Sequence, residues 1–135
     1  MKLILAAGGA ILLACAAKAP QAGVDQIAQG KRAYQQCYSC HALEPGKNDL
    51  SGPTLYGIVG RAVAAEPFDY SPALRRFASR EPRWTEELLD RYAADPEALV
   101  PGTSMTYHGL KNADDRKALI AFLKRQTSAS AASRP

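Results

Sequence analysis

The hydrophobic and polar positions of this chain repeat with the period of helices, and no run alternates as a strand would. The clearest pattern lies near the C-terminus, where Leu119, Phe122 and Leu123 form one apolar stripe. Asn112 is placed to cap this helix at its start, and basic residues follow the stripe. A final amphipathic helix is therefore predicted.

Capping signals predict three more helices upstream. A first helix covers residues 25–36, with Asp at its start and apolar positions on one side. Ser71 begins a short helix as an N-cap followed by proline, and Thr85 begins another that stops before Asp95. Residues 42–70 are interrupted by glycine and proline and have no sustained period, which predicts an extended loop.

The first residues have the pattern of an export signal. Lys2 provides a positive start, and residues 3–14 are apolar and uncharged, but this run is too short to span a bilayer. Leucines and an alanine precede Cys15, which resembles the lipobox of bacterial lipoproteins, in which the cysteine is lipidated. The alternative is an ordinary cleavable signal with small residues near the cut. Both alternatives take the chain out of the cytoplasm.

Four segments are expected along the chain. Residues 1–14 are predicted to be a lipoprotein-type signal peptide and residues 15–24 a tether. Residues 25–126 form one small domain, and residues 127–135, rich in serine and alanine, are expected to be a disordered tail.

Composition limits the classes of function. The formal charge of +4 includes Lys2, and no dense Lys/Arg run occurs, which argues against nucleic-acid binding. A domain of this size buries only a modest core, and much of its apolar content is alanine. A large apolar cofactor would supply the missing volume.

Cys37, Cys40 and His41 form a CxxCH motif, which has the spacing of covalent haem attachment. On one helical turn, positions i, i+3 and i+4 share a face. Both thiols can then form thioethers to the vinyl groups of one haem c, while the imidazole faces the iron from the same side.

Three other interpretations of the motif compete with haem attachment. A redox dithiol usually lies on a βαβ framework, for which the chain has no strand pattern. A zinc site needs four ligands, and adjacent Cys40 and His41 fit one tetrahedral ion poorly. A disulfide between Cys37 and Cys40 would be strained on a helix.

From Gly30 to about Gln126 the chain resembles class I cytochrome c, closest to its mitochondrial and bacterial c2-like branch. The matching blocks, in the order and spacing of that family, are residues 37–41, 52–61, 83–85, 92, 95–96, 101–105 and 119–123. The resemblance implies an all-α fold of three to five helices and loops around one covalently bound haem.

The resemblance also assigns axial ligands. His41 is the proximal ligand, and its second ring nitrogen donates to the carbonyl of Pro53. Met105 is the distal ligand, and the pattern favours it over the rival His108. Ligation by His and Met raises the reduction potential.

Further residues are assigned around the haem. The family's partners of the haem propionates correspond to Arg61, Tyr70 and Trp84. The family's residues near the ligand sulfur correspond to Tyr92 and Thr103. Leu55, Leu89 and Leu99 are expected to pack on the porphyrin. Gly30 and Tyr34 are expected where the first helix contacts Leu119 and Phe122.

The sequence departs from the family at the haem edge. Gln36, Glu97 and Ser104 stand where mitochondrial members usually carry lysines, so the basic docking ring is thin. Leu74 replaces a polar residue near the Met ligand.

The predicted function is one-electron transfer by a monomer, not an enzyme, at the periplasmic face of a membrane, or in the soluble periplasm if Cys15 is not lipidated. Its partners are redox proteins bound to that membrane. The alternatives are an electron-transfer subunit of a larger oxidoreductase and, less favoured, a peroxidase-like or ligand-sensing haem protein.

Overall fold

A computed structural model describes residues 22–132, and five helices connected by loops make up that part of the chain. In chain order they are α1 (Ala22–Tyr34), α2 (Pro72–Ala78), α3 (Glu86–Ala94), α4 (Pro96–Leu99) and α5 (Ala113–Ala132). The only β-type pairing among these residues is an isolated antiparallel bridge between Ala62 and Arg83. The predicted all-α architecture agrees with this arrangement.

Helices α1 and α5 pack tightly against each other at Gly30. A Cβ atom at this position would overlap the carbonyl oxygen of Ala118 and lie 2.6 Å from Cβ of Phe122. One turn later the rings of Tyr34 and Phe122 are 5.9 Å apart. The predicted contact between the first and last helices is confirmed, and it requires glycine because only a residue without Cβ allows this approach.

The predicted caps of α2, α3 and α5 are in place, whereas Asp25, expected at the start of the first helix, lies inside α1. The Ser71 hydroxyl accepts a hydrogen bond from the Leu74 amide, and the Thr85 hydroxyl accepts one from Leu88. The carboxamide oxygen of Asn112 accepts from two amides of the first turn of α5. The capping residues therefore predicted the starts of these three helices correctly.

Helix α4 was not predicted. The Asp95 carboxylate accepts a hydrogen bond from the Ala98 amide, and Pro96 occupies the first position, so the Asp-Pro pair that ends α3 also begins the next helix. Four residues are too few for a hydrophobic period, which is why the pattern gave no signal.

The loop at residues 42–70 is ordered by buried polar contacts in place of regular structure. Thr54 is 1% exposed, and its hydroxyl donates to the Glu44 carbonyl at 2.8 Å and accepts from the Tyr56 amide at 3.0 Å. The Asn48 side chain accepts from the Thr54 amide at 2.9 Å. These bonds satisfy backbone groups that no helix or strand pairs.

The helix ends differ from the expected boundaries. Helix α1 begins at Ala22, inside the predicted tether, and ends at Tyr34 rather than at residue 36. Helix α5 continues to Ala132 and so extends into the segment predicted to be a disordered tail, in which residues 127–132 include no glycine or proline. The predicted signal peptide and Cys15 lie outside the described residues, as do residues 133–135.

No helix in residues 22–132 combines the length and the apolar character needed to cross a membrane.

Replacing Gly30 by Ala is expected to lower the free energy of unfolding by about 1–3 kcal/mol, because the added methyl group must push α1 and α5 apart. Gly23→Ala, in the same helix, is the matched control because a Cβ there meets no atom within 4 Å. That variant should change stability by less than about 1 kcal/mol, in the stabilising direction. Denaturant unfolding of both variants measures the difference, and equal stability would contradict the close packing.

Candidate functional site

A cavity of about 460 Å³ lies between the turn after α1, the loop at residues 42–70, α3 and the segment before α5. It brings together all ten residues that the sequence assigned to cofactor binding. They are Cys37, Cys40, His41, Pro53, Arg61, Tyr70, Trp84, Tyr92, Thr103 and Met105. Apolar side chains form most of the remaining wall, and a volume of this order suits a single buried ligand.

The CxxCH residues form one hydrogen-bonded turn beyond the end of α1. The Cys37 carbonyl accepts from the Cys40 amide at 3.1 Å and from the His41 amide at 2.9 Å. This turn places both thiols and the imidazole on the same cavity wall, as the spacing predicted. The two thiols are not joined in a disulfide.

The two thiols differ in environment. Burial, with a smaller effect of the neighbouring Cys40, raises the pKa of the Cys37 thiol to about 11. Hydrogen bonds from Ser51 and then Ser39 lower the pKa of the exposed Cys40 thiol. The Cys37 sulfur is therefore the more enclosed of the two, and the Cys40 sulfur lies nearer solvent.

The ring of His41 is held by its Nδ1 atom, which lies 2.7 Å from the Pro53 carbonyl oxygen. Because a carbonyl only accepts, Nδ1 must carry the proton, and the lone pair of Nε2 is left for a metal. Burial lowers the pKa of His41, which favours the neutral ring that ligates metals. The Tyr34 hydroxyl donates to the His41 carbonyl at 2.6 Å and fixes the backbone.

Gly52 makes room for this ring, a role that the sequence did not reveal. A Cβ at Gly52 would overlap the imidazole and lie 2.7 Å from Nδ1 and 2.8 Å from Nε2. Its φ is not in the left-handed region, so no turn signal marks it. The requirement for glycine arises from contact with a residue eleven positions away.

Met105 lies in a segment organised by Thr103. The Thr103 hydroxyl is 2.8 Å from the Tyr92 hydroxyl and accepts a hydrogen bond from the Met105 amide at 3.3 Å. Burial raises the pKa of Tyr92, so its hydroxyl stays protonated. The rival residue His108 is exposed and does not line the cavity.

Donors for a buried carboxylate lie along the same cavity. Arg61 donates to two loop carbonyls and to Glu66, which uses three of its five N–H groups and leaves two. Trp84 is 6% exposed, and its indole N–H has no acceptor within residues 22–132. The Tyr70 hydroxyl accepts from the Glu66 amide at 3.2 Å. Glu66 was not anticipated from the sequence.

Leu55 and Leu89 line the cavity as expected, but Leu99 does not. Leu99 lies in α4 and packs, half buried, against the outside of the core. The cavity lining therefore gives no support to the expectation that Leu99 packs on the porphyrin. Residues that the sequence did not place on the cavity wall include Ile58, Phe68, Leu119 and Leu123.

These residues fit a covalently attached haem. Two unpaired thiols, an imidazole with Nε2 available, a thioether and unused N–H donors of Arg61 and Trp84 share one apolar cavity. A zinc site gains no support, because residues 22–132 hold no group of three His, Cys, Asp or Glu side chains arranged around one ion.

Comparison with known proteins gives a consistent result. The cytochrome c family model matches residues 27–127. Cytochrome c2 of Rhodoplanes tepidamans is 41% identical over 97 residues, covering 71% of this chain and 96% of the relative. Cytochrome c2 of Blastochloris viridis is 36% identical over 114 residues, covering 84% and 87%. Among solved structures, cytochrome cH from Methylobacterium extorquens has a TM-score of 0.65 and 31% identity, covering 73% of this chain and 97% of that chain.

The match extends over most of the chain and agrees with the fold, the CxxCH turn and the cavity. It confirms the predicted resemblance and the class I fold, with haem c bound covalently through Cys37 and Cys40. It does not favour the peroxidase-like or sensing alternatives. The chain belongs to the cytochrome c family and is a monohaem electron carrier rather than an enzyme.

Proposed function

We propose that this electron carrier holds its haem iron between His41 and Met105 and works at the periplasmic face of a membrane. The observation that carries the ligand assignment is the shared cavity, in which His41 is oriented by Pro53 and Met105 is positioned through Thr103. The alternative ligand His108 is exposed, which supports the choice of Met105.

The bound haem supplies an iron that cycles between the ferric and ferrous states. The residues around the cavity would keep the surroundings of the iron constant while its oxidation state changes. The Pro53 carbonyl fixes the imidazole and increases its basicity, and the apolar walls limit access of water. His41 and Met105 would together hold the iron and leave no position for a substrate, and ligation by these two residues would raise the potential.

Arg61, Tyr70 and Trp84 are proposed to hold the haem propionates. Among the described residues 22–132, two N–H groups of Arg61 and the indole N–H of Trp84 have no acceptor, and both side chains line the cavity. Burial is the main cause that raises the pKa of Tyr70, so the phenol remains a donor. Hydrogen bonds of this kind offset the cost of burying carboxylates.

The rim of the cavity is polar but uncharged. Apart from Cys40, the exposed residues that line the cavity are Gln36, Ser39, Ser51, Ser104 and Thr106. Partner redox proteins would dock on this rim with little electrostatic steering, in contrast to a basic ring. Tyr107 donates to Gln36 at 2.8 Å, which links two sides of the rim. We propose that the protein docks as a monomer.

Attachment to the membrane would compensate for weak steering. We propose that residues 1–14 are a signal peptide and that Cys15 carries lipid, with at least two acyl chains for stable anchoring. Because α1 begins at Ala22, the segment from Cys15 to the start of α1 spans no more than about 25 Å when fully extended. A haem domain restricted to this layer has a high effective concentration toward membrane-bound donors and acceptors.

Covalent attachment predicts that haem staining survives denaturing electrophoresis. Cys37→Ala combined with Cys40→Ala should abolish the stain, because neither thioether can form. Ser39→Ala lies between the two cysteines and should retain full staining. Loss of stain from the wild-type protein on denaturation would contradict covalent attachment.

Replacing Met105 by Ala should remove the near-infrared ferric band that marks methionine ligation and lower the reduction potential, because a stabilising sulfur ligand of ferrous iron is lost. The iron should then bind small ligands such as imidazole. His108→Ala is the control and should change none of these properties. An unchanged spectrum in the methionine variant would assign the iron to another ligand.

Replacing Cys15 by Ser should move haem protein from the membrane fraction to the soluble fraction, or block its maturation, without changing the visible spectrum of the folded product. Fractionation followed by sequencing of the mature N-terminus measures this. Wild-type protein that is soluble and begins beyond Cys15 would identify a diffusible carrier.

A further inference from the structure

Arg61 and Glu66 form a largely enclosed ion pair beside the cavity. Arg61 Nη1 lies 3.1 Å from Glu66 Oε1, and the two side chains are 14% and 19% exposed. The four other ion pairs within residues 22–132 each include a side chain that is at least 39% exposed. The Arg61–Glu66 pair is therefore the one least screened by solvent.

Glu66 is itself held on several sides. Its second carboxylate oxygen accepts a hydrogen bond from the Asn48 side chain at 2.9 Å, and its amide donates to the Tyr70 hydroxyl. Asn48 in turn accepts from the amide of Thr54. The loop at residues 42–70 thus fixes the position of the Glu66 carboxylate. The carboxylate can in turn hold the Arg61 guanidinium.

Arg61 is oriented by three acceptors. Nη1 donates to the Tyr56 carbonyl at 2.9 Å as well as to Glu66, and Nη2 donates to the Thr54 carbonyl at 2.8 Å. Burial lowers the pKa of Arg61, while Glu66 opposes this shift and keeps the guanidinium charged. Only Glu66 among the three acceptors contributes a full negative charge, so its removal would change both the field and the restraint on Arg61.

We propose that Glu66 is a positioning residue that engages Arg61 beside the cavity, offsets its positive charge toward the cofactor and thereby lowers the reduction potential of the haem. The inference rests on the proposed haem site. A carboxylate near the cavity stabilises the extra positive charge of ferric haem, and in a poorly solvated environment that stabilisation is substantial. Because one N–H group of Arg61 donates to Glu66, that group is not available to the haem propionates.

The test compares midpoint potentials by spectroelectrochemical titration of the full holoprotein. Glu66→Gln keeps the size of the side chain, removes its charge, and should shift the potential upward. Asp69→Asn is the matched control, because Asp69 lies in the same loop, is fully exposed and forms only a 3.8 Å contact with Arg75. Equal potentials for Glu66→Gln and the control would overturn the proposal.

A double-mutant cycle separates positioning from a simple field effect. If Glu66 acts through Arg61, the upward shift caused by Glu66→Gln should be clearly smaller in an Arg61→Gln background. The same shift in both backgrounds would show that Glu66 acts only through its own charge and would overturn the positioning role. Glu66→Asp retains the charge and should restore most of the wild-type potential.

A second measurement covers the case in which Arg61→Gln does not mature. Exchange of the Arg61 side-chain N–H groups with solvent, followed by NMR in the ferrous protein, should be faster in Glu66→Gln than in the wild type. Unchanged exchange would overturn the restraint on Arg61. An error in the proposed haem ligands would be recognised separately. The wild-type protein would then lack the near-infrared band that marks methionine ligation.

Discussion

The contact between α1 and α5 at Gly30 is the constraint on which the rest of this structure depends. It brings the backbones of the first and last helices together, so that the turn from Cys37 to His41 emerges on the cavity wall. Tyr34 connects the packing to the site directly, since its ring contacts Phe122 and its hydroxyl binds the His41 carbonyl. Packing and ligand orientation are therefore two consequences of the same helix pair.

The proximal side of the cavity depends on polar groups more than on regular structure. The loop at residues 42–70 has no helix, yet it supplies the acceptor for His41 and the space for its ring. Thr54, Asn48 and Arg61 satisfy the carbonyl and amide groups of the loop. Because such bonds are costly to leave unmade in a buried environment, they give the loop the rigidity that an electron carrier needs.

Charge is distributed unequally between the interior and the rim. The enclosed Arg61–Glu66 pair lies beside the cavity, whereas the exposed residues on the rim are neutral. In the proposals made for this protein, the first arrangement would act on the energy of the iron and the second on encounters with partners. A chain can therefore adjust its potential without changing its docking surface, because the two sets of residues do not overlap.

Sequence alone determined the chemistry and most of the local structure. The CxxCH spacing, the capping residues Ser71 and Thr85 and the stripe on α5 depend on neighbours a few positions away, so a linear pattern records them. The contacts of Gly52 and Glu66 and the presence of helix α4 depended on tertiary structure. Contacts between distant segments and helices shorter than one hydrophobic period leave no periodic signal, and only the folded chain determines them.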